Sequence, residues 1–217
     1  MKYKNIIFDF DGVLAESVHI KTDAFYKLYE KFGKEIAKQV IKHHEANGGM
    51  SRFEKFPYYH KTFLNIDLTK TDIEKLCYNF SRLVIDRVVE ANEVSGALYF
   101  LKKYQKVIKY WIASATPTTE INEIAEKRGI SDYFISIFGS PENKSSIVNN
   151  IINKNELIKS ETVFFGDALN DYRAAKDSNI DFILRQTAEN QKLFRDYIGL
   201  TRFNDFYELD SILEKQK

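Results

Sequence analysis

Two aspartates separated by one residue, Asp9 and Asp11, close the apolar run of IIFDFDGVLAES at residues 6–17. Alternate side chains of an extended chain share a side, so both carboxylates face one spot at the end of a buried strand. Two negative charges that close need a shared proton or a cation. Further along, GDALNDYRAA sets Asp167 and Asp171 four apart at a helix opening. Acids there also complement the helix dipole. Joined to Asp9 and Asp11, they form an oxygen-rich set suited to a hard cation, and an accompanying phosphate binder favours Mg²⁺ over Ca²⁺.

Two stretches offer that binder. The run VIKYWIA ends in Ser114, followed by Ala115, Thr116 and Pro117. Thr116 reads as a helix cap and Pro117 as the first helical residue, which aims free N–H groups at an anion. Taken alone, Ser114 reads as a turn residue before anything else. In SPENKSS, Ser140 reads as a cap, Pro141 as the first helical position and Lys144 as a first-turn cation. A lysine there opposes the helix dipole. It is either a solvated side chain or the charge that neutralises a phosphoryl group and the nearby acids.

The elements that must position these residues follow from periodicity. After IIF, residues 16–92 carry helical spacing and no strand: Phe25, Leu28, Tyr29 and Phe32 recur on one face, as do Ile73, Leu76, Cys77, Phe80, Leu83, Val84 and Val88. Gly48-Gly49 breaks this block, and Pro57 limits a helix begun near Arg52. Beyond Ser95, helices alternate with the runs VIKYWIA, YFISIF, TVFFG and DFILR. Short apolar runs separated by helices predict an α/β fold with a parallel sheet covered on both faces. Ligands of such sheets bind beyond the carboxyl ends of the strands, where the polar residues above fall. The expected organisation is 1–15 for the first strand and its loop, 16–92 for an all-helical insertion, and 93–217 for the rest of the α/β core.

With 32 basic and 31 acidic residues, a net charge of +1 gives no electrostatic reason to expect nucleic acid or an anionic membrane as partner. No run approaches the length of a membrane span and MKYKNIIFDF shows no cleavable signal, so a cytoplasmic protein is expected. Cys77 has no partner for a disulfide and reads as a small buried residue.

In this order, Asp9-Phe10-Asp11-Gly12-Val13, Ser114, Lys144, and Gly166-Asp167 with Asp171 resemble the four motifs of the haloacid dehalogenase superfamily. The resemblance implies a Rossmann-like parallel core with a small helical cap, of the capped phosphatase and beta-phosphoglucomutase-like subgroup. It makes Asp9 the nucleophile that forms an aspartyl-phosphate and Asp11 the acid and base. Asp9, the Asp11 carbonyl, Asp167 and Asp171 would hold Mg²⁺, and Ser114, Ala115 and Lys144 would bind the phosphoryl group. Asp11 points to phosphoester chemistry, since a departing halide needs no proton.

Within the cap, GGMSRFEKF resembles the Gly-x-Ser-Arg element of sugar-phosphate phosphatases and beta-phosphoglucomutase, which implies that Arg52 reaches the substrate. Mutases carry a histidine twelve positions after the nucleophile; here that position is Lys21, which cannot easily perform a histidine's proton-linked task and is either a substrate-binding residue or an ordinary solvated lysine. The expected activity is hydrolysis of a small phosphorylated metabolite, a sugar or amino-alcohol phosphate linked to surface carbohydrate synthesis. A phosphomutase is the near alternative. A receiver-type phosphoacceptor domain is the distant one, disfavoured because receivers are shorter and carry their acceptor on a later strand.

Overall fold

A computed structural model describes residues 2–214. Six strands, β1 (Asn5–Phe8), β2 (Lys109–Pro117), β3 (Ser136–Ser140), β4 (Thr162–Gly166), β5 (Asp181–Arg185) and β6 (Thr201–Phe203), form one parallel sheet in the order β3-β2-β1-β4-β5-β6. The apolar runs are what a sheet covered on both faces requires. Ile6 and Phe8 face one core while Ile7 faces the other, and all three are wholly buried. Fully burying a side chain of this kind stabilises by roughly 1.5–3 kcal/mol. Chain order reverses at β1, which pairs with β2 on one side and β4 on the other. A crevice therefore opens beyond the carboxyl ends of these three strands.

Between β1 and β2 the chain forms α1 (Val18–Tyr29), α2 (Lys34–Ala46), α3 (Arg52–Tyr59) and α4 (Lys70–Glu90) of the helical insertion, and then α5 (Ala97–Tyr104), which follows its exit. Ser51 caps α3 by accepting from the Phe53 amide, and Thr69 and Asp72 form a reciprocal capping box on α4. Phe25, Tyr29, Phe56, Tyr59, Phe80 and Val84 bury the facing stripes, and Cys77 lies buried among them. Phe32 departs from the expected stripe at 37% exposure, because α1 stops at Tyr29 and a 3-10 turn rotates it outward. Nor does Pro57 end its helix: the missing N–H costs one bond, and the chain continues through Tyr59 into a π turn at His60–Leu64.

Entry to and exit from the insertion run side by side. The Glu16 amide donates to the Asn92 carbonyl at 2.9 Å, and the Val94 amide to the Leu14 carbonyl at 3.1 Å. The Arg128 guanidinium donates to the carbonyls of Val88, Val89 and Ala91, capping α4 from the core side.

The core helices are α6 (Thr118–Lys127), α7 (Lys144–Lys154), α8 (Leu169–Asp177) and α9 (Phe206–Glu214). Two helix starts differ from the sequence expectation. β2 runs on through Pro117, which stands at the cap position of α6, and Thr116 spends its hydroxyl elsewhere. Pro141 lies in a turn, and α7 starts at Lys144 under an Asn143 cap that accepts from the Ser146 amide at 2.9 Å. The YFISIF run yields a strand only from Ser136, since Ser131–Tyr133 forms a 3-10 turn. β6 and α9 were not anticipated. Among the described residues no helix is long and apolar enough to cross a membrane.

Candidate active site

β1 continues into its loop with the Asp9 amide donating to the Phe165 carbonyl of β4 at 2.9 Å, which places Asp9 beside the Gly166-Asp167 turn. Carboxylate oxygens of Asp9, Asp167 and Asp171 lie within 4.8 Å of one another. One buried ammonium serves the group: Lys144 Nζ lies 2.5 Å from Asp171 Oδ1 and 3.2 Å from Asp9 Oδ1. Asp171 is committed further, accepting on Oδ2 from the amides of Asp167 and Ala168 and so locking the turn. This packing requires glycines. A Cβ on Gly166 would stand 2.3 Å from that of Asp171, and one on Gly12, at φ +76°, 2.3 Å from Asp167 Oδ2.

Three carboxylates share one ammonium, an excess of negative charge that protons or a further cation must offset. Burial, reinforced by Asp171 and Asp11 and opposed by Lys144, pushes the Asp9 carboxyl up to about 7. Burial, with Asp171 and Asp9, lifts Asp167 well above the usual carboxylate range. No hydrogen-bond donor among the described residues reaches the Asp167 carboxylate. An all-oxygen set with surplus negative charge is chemistry that fits a hard divalent ion.

Asp11 is held apart from this cluster. Its Oδ1 accepts from the Ser17 hydroxyl at 2.7 Å, and its Oδ2 from Lys21 Nζ and, at 3.2 Å, from the Thr116 hydroxyl. Burial would raise its pKa, but Lys21, with Ser17 and Thr116, holds it below the usual range. Two aspartates two residues apart thus sit in different surroundings, Asp9 in the carboxylate cluster against Lys144 and Asp11 among Lys21, Ser17 and Thr116. Ser17 was not singled out from the sequence, and Thr116 was read only as a helix cap. The extended geometry at Thr116 turns what reads as a cap hydroxyl toward Asp11.

Ser114 is buried, and its Oγ accepts from the Thr116 amide at 3.1 Å, which leaves its own hydrogen free to donate. Ala115 follows at the mouth of the same crevice. Above lies a cavity of about 470 Å³ whose walls include Asp9, Asp11, Lys21 and Ala115 from the core side and His44, Arg52, Lys55, Phe25 and Phe80 from the helical insertion.

Arg52 lines this cavity, yet its guanidinium forms a two-pronged pair with Glu120 of α6, at 2.7 and 3.0 Å, and also donates to Ser81. Both side chains of the pair are 4% exposed. Breaking such a buried pair from one side costs roughly 3–5 kcal/mol, so Arg52 fastens the insertion to the core as well as facing the cavity. Glu120, 68 residues away, carries no sequence signal for this partnership.

A family model described as haloacid dehalogenase-like hydrolase matches residues 6–185. The chain is 25% identical over 184 residues to a phosphorylated carbohydrates phosphatase of Thermotoga maritima, covering 82% of each protein. Its fold is similar to that of beta-phosphoglucomutase from Clostridium difficile, with a TM-score of 0.78 at 21% identity over 98% of this chain and 96% of that one. It is also similar to CbbY from Rhodobacter sphaeroides in complex with phosphate, with a TM-score of 0.72 at 19% identity over 95% and 96%.

Proposed function

Since the chain belongs to the haloacid dehalogenase-like hydrolases, we propose that it is a magnesium-dependent phosphatase of a small phosphomonoester, with residues 16–92 as the cap over the site. What carries this reading is the different setting of its first two acids. Asp9 stands in the carboxylate cluster against Lys144, while Asp11 is held to one side by Lys21, Ser17 and Thr116.

In the first step an Asp9 oxygen attacks phosphorus, a P–O bond to the carboxylate forms as the ester P–O bond breaks, and Asp11 gives its proton to the departing alkoxide. Water then attacks the aspartyl-phosphate, Asp11 takes a proton from it, and the bond to Asp9 breaks to free phosphate. Lys21 holds Asp11 ionised; a phosphoryl group's charge seated beside Asp11 competes for Lys21 and raises the carboxyl, as the acid step needs. Lys144, the Ser114 hydroxyl and the backbone at Ala115 receive the phosphoryl oxygens. Asp9, Asp167, the Asp11 carbonyl and Asp171 would hold Mg²⁺, which supplies Lewis-acid stabilisation of the transferring group.

The Thermotoga relative supports a phosphorylated carbohydrate as substrate. A cavity of about 470 Å³ has room for one. A phosphomutase is disfavoured, because Lys21 occupies the position of the mutase histidine and is bound to Asp11.

Asp11→Asn tests the division of labour. Turnover of an alkyl phosphate should fall by about 10²–10⁴-fold. With p-nitrophenyl phosphate, whose leaving group needs no proton, the first step should survive and release a burst of one p-nitrophenolate per site before slow turnover. Loss of the burst in parallel with turnover would refute the role of Asp11.

A further inference from the structure

The cap contributes three cations to the cavity wall, and two have acid partners: Lys21 is paired with Asp11 and Arg52 with Glu120. The third, Lys55 of α3, is only 2% exposed and forms no ion pair among the described residues. Its Nζ meets the Nδ1 of His44, a neutral partner from α2, at 2.8 Å, and sits 5.6 Å from the centre of the Phe25 ring. The groups whose charge reaches it are Lys21 from α1, His43 and His44 from α2, and Arg52 and Glu54 of its own helix. Glu54 is exposed, and the others repel or are neutral.

A buried ammonium without a counterion is costly, and an apolar side chain of the same length would suit the neighbouring Phe25 ring better. Burial, with Lys21 adding to it, pulls Lys55 down to about 7, so the charge is held only weakly. An anion arriving from the cavity would satisfy it. Asp9 lies on the opposite, core-side wall of the same cavity.

We infer that Lys55 and His44 form a second anion subsite in the cap, and that the substrate is a phosphomonoester bearing another anionic group, a carboxylate or a second phosphate, on its leaving portion. This deepens the phosphatase reading and rests on it. The phosphoryl end goes to Asp9 and Lys144, and the far anion to the Lys55 ammonium, whose charge-assisted bond selects substrates that carry it.

The test compares kcat/KM within matched pairs: phosphoglycerate against glycerol phosphate, phosphogluconate against glucose phosphate, and fructose bisphosphate against fructose monophosphate. Wild type should favour the anion-bearing member of at least one pair by about tenfold or more. The carboxylate and bisphosphate pairs distinguish the two sources of the anion. Lys55→Met should erase that preference and raise the unfolding midpoint, because a buried unpaired charge is gone. Equal kcat/KM within every pair, or a preference that survives Lys55→Met, overturns the subsite.

Binding measured by calorimetry on Asp9→Asn separates this inference from the reaction. Lys55-dependent preference for the anion-bearing member in a protein whose wild type hydrolyses no ester would leave the subsite standing and the phosphatase reading failed. Hydrolysis of p-nitrophenyl phosphate with no discrimination within any pair would do the reverse.

Discussion

Asp9→Asn should fold and lose turnover by roughly 10⁴-fold or more, the scale expected when a covalent nucleophile is removed. A neutral amide cannot form the acyl-phosphate, and Asp171 and Asp11 are each committed to other partners. Asp171 is bound by two amides and Lys144, and Asp11 by Lys21, Ser17 and Thr116. Folding should survive because the charge removed is an unfavourable one. With its carboxyl raised to about 7, Asp9 contributes stability that is present below its ordinary pKa and lost as pH rises through about 7. In chelator, the variant should therefore match or exceed the wild-type unfolding midpoint above about pH 8, with no such advantage near about pH 4. Added Mg²⁺ should raise the wild-type midpoint and raise the variant's less, since one acidic donor is gone.

Lys144→Met should damage both stability and activity. Its ammonium is buried between Asp171 at 2.5 Å and Asp9 at 3.2 Å; burial would lower its pKa, but the two carboxylates hold it above the usual lysine range. Removing it strands two buried acids, at roughly 3–5 kcal/mol of unfolding free energy. Methionine keeps the length and apolar stem, so the loss reports charge and not a cavity. Turnover should drop by about 10²–10³-fold, as for loss of one preorganised group stabilising the transition state. Mg²⁺ should recover part of the stability measured by urea unfolding and none of the specific turnover. Full recovery of turnover would confine Lys144 to holding the loop together.

The strands that carry the chemistry were legible because parallel strands buried on both faces leave continuous apolar runs. TVFFG and DFILR coincide with β4 and β5, and Asp9 and Asp167 fall at strand ends as expected. Helix starts at Thr116-Pro117 and Ser140-Pro141 misled, since proline at a first helical position looks the same as proline closing a strand or occupying a turn. β6 is three residues at a sheet edge and follows a polar stretch, so it leaves no periodic trace. Partnerships across the fold were illegible for another reason. Arg52 with Glu120, and Lys21 with Thr116, join residues 68 and 95 positions apart, which one chain's local pattern does not encode. Lys55, which the sequence did not single out, is among the most deeply buried side chains.

Phosphate release from a panel of sugar, polyol, amino-alcohol and nucleotide phosphates, with Mg²⁺ and with chelator, bears most directly on the central claim. Wild type should release phosphate from one chemical group of these esters only when Mg²⁺ is present, and Asp9→Asn should release none. Undiminished release in chelator, or release by Asp9→Asn at the wild-type rate, would contradict a magnesium-dependent hydrolysis through Asp9.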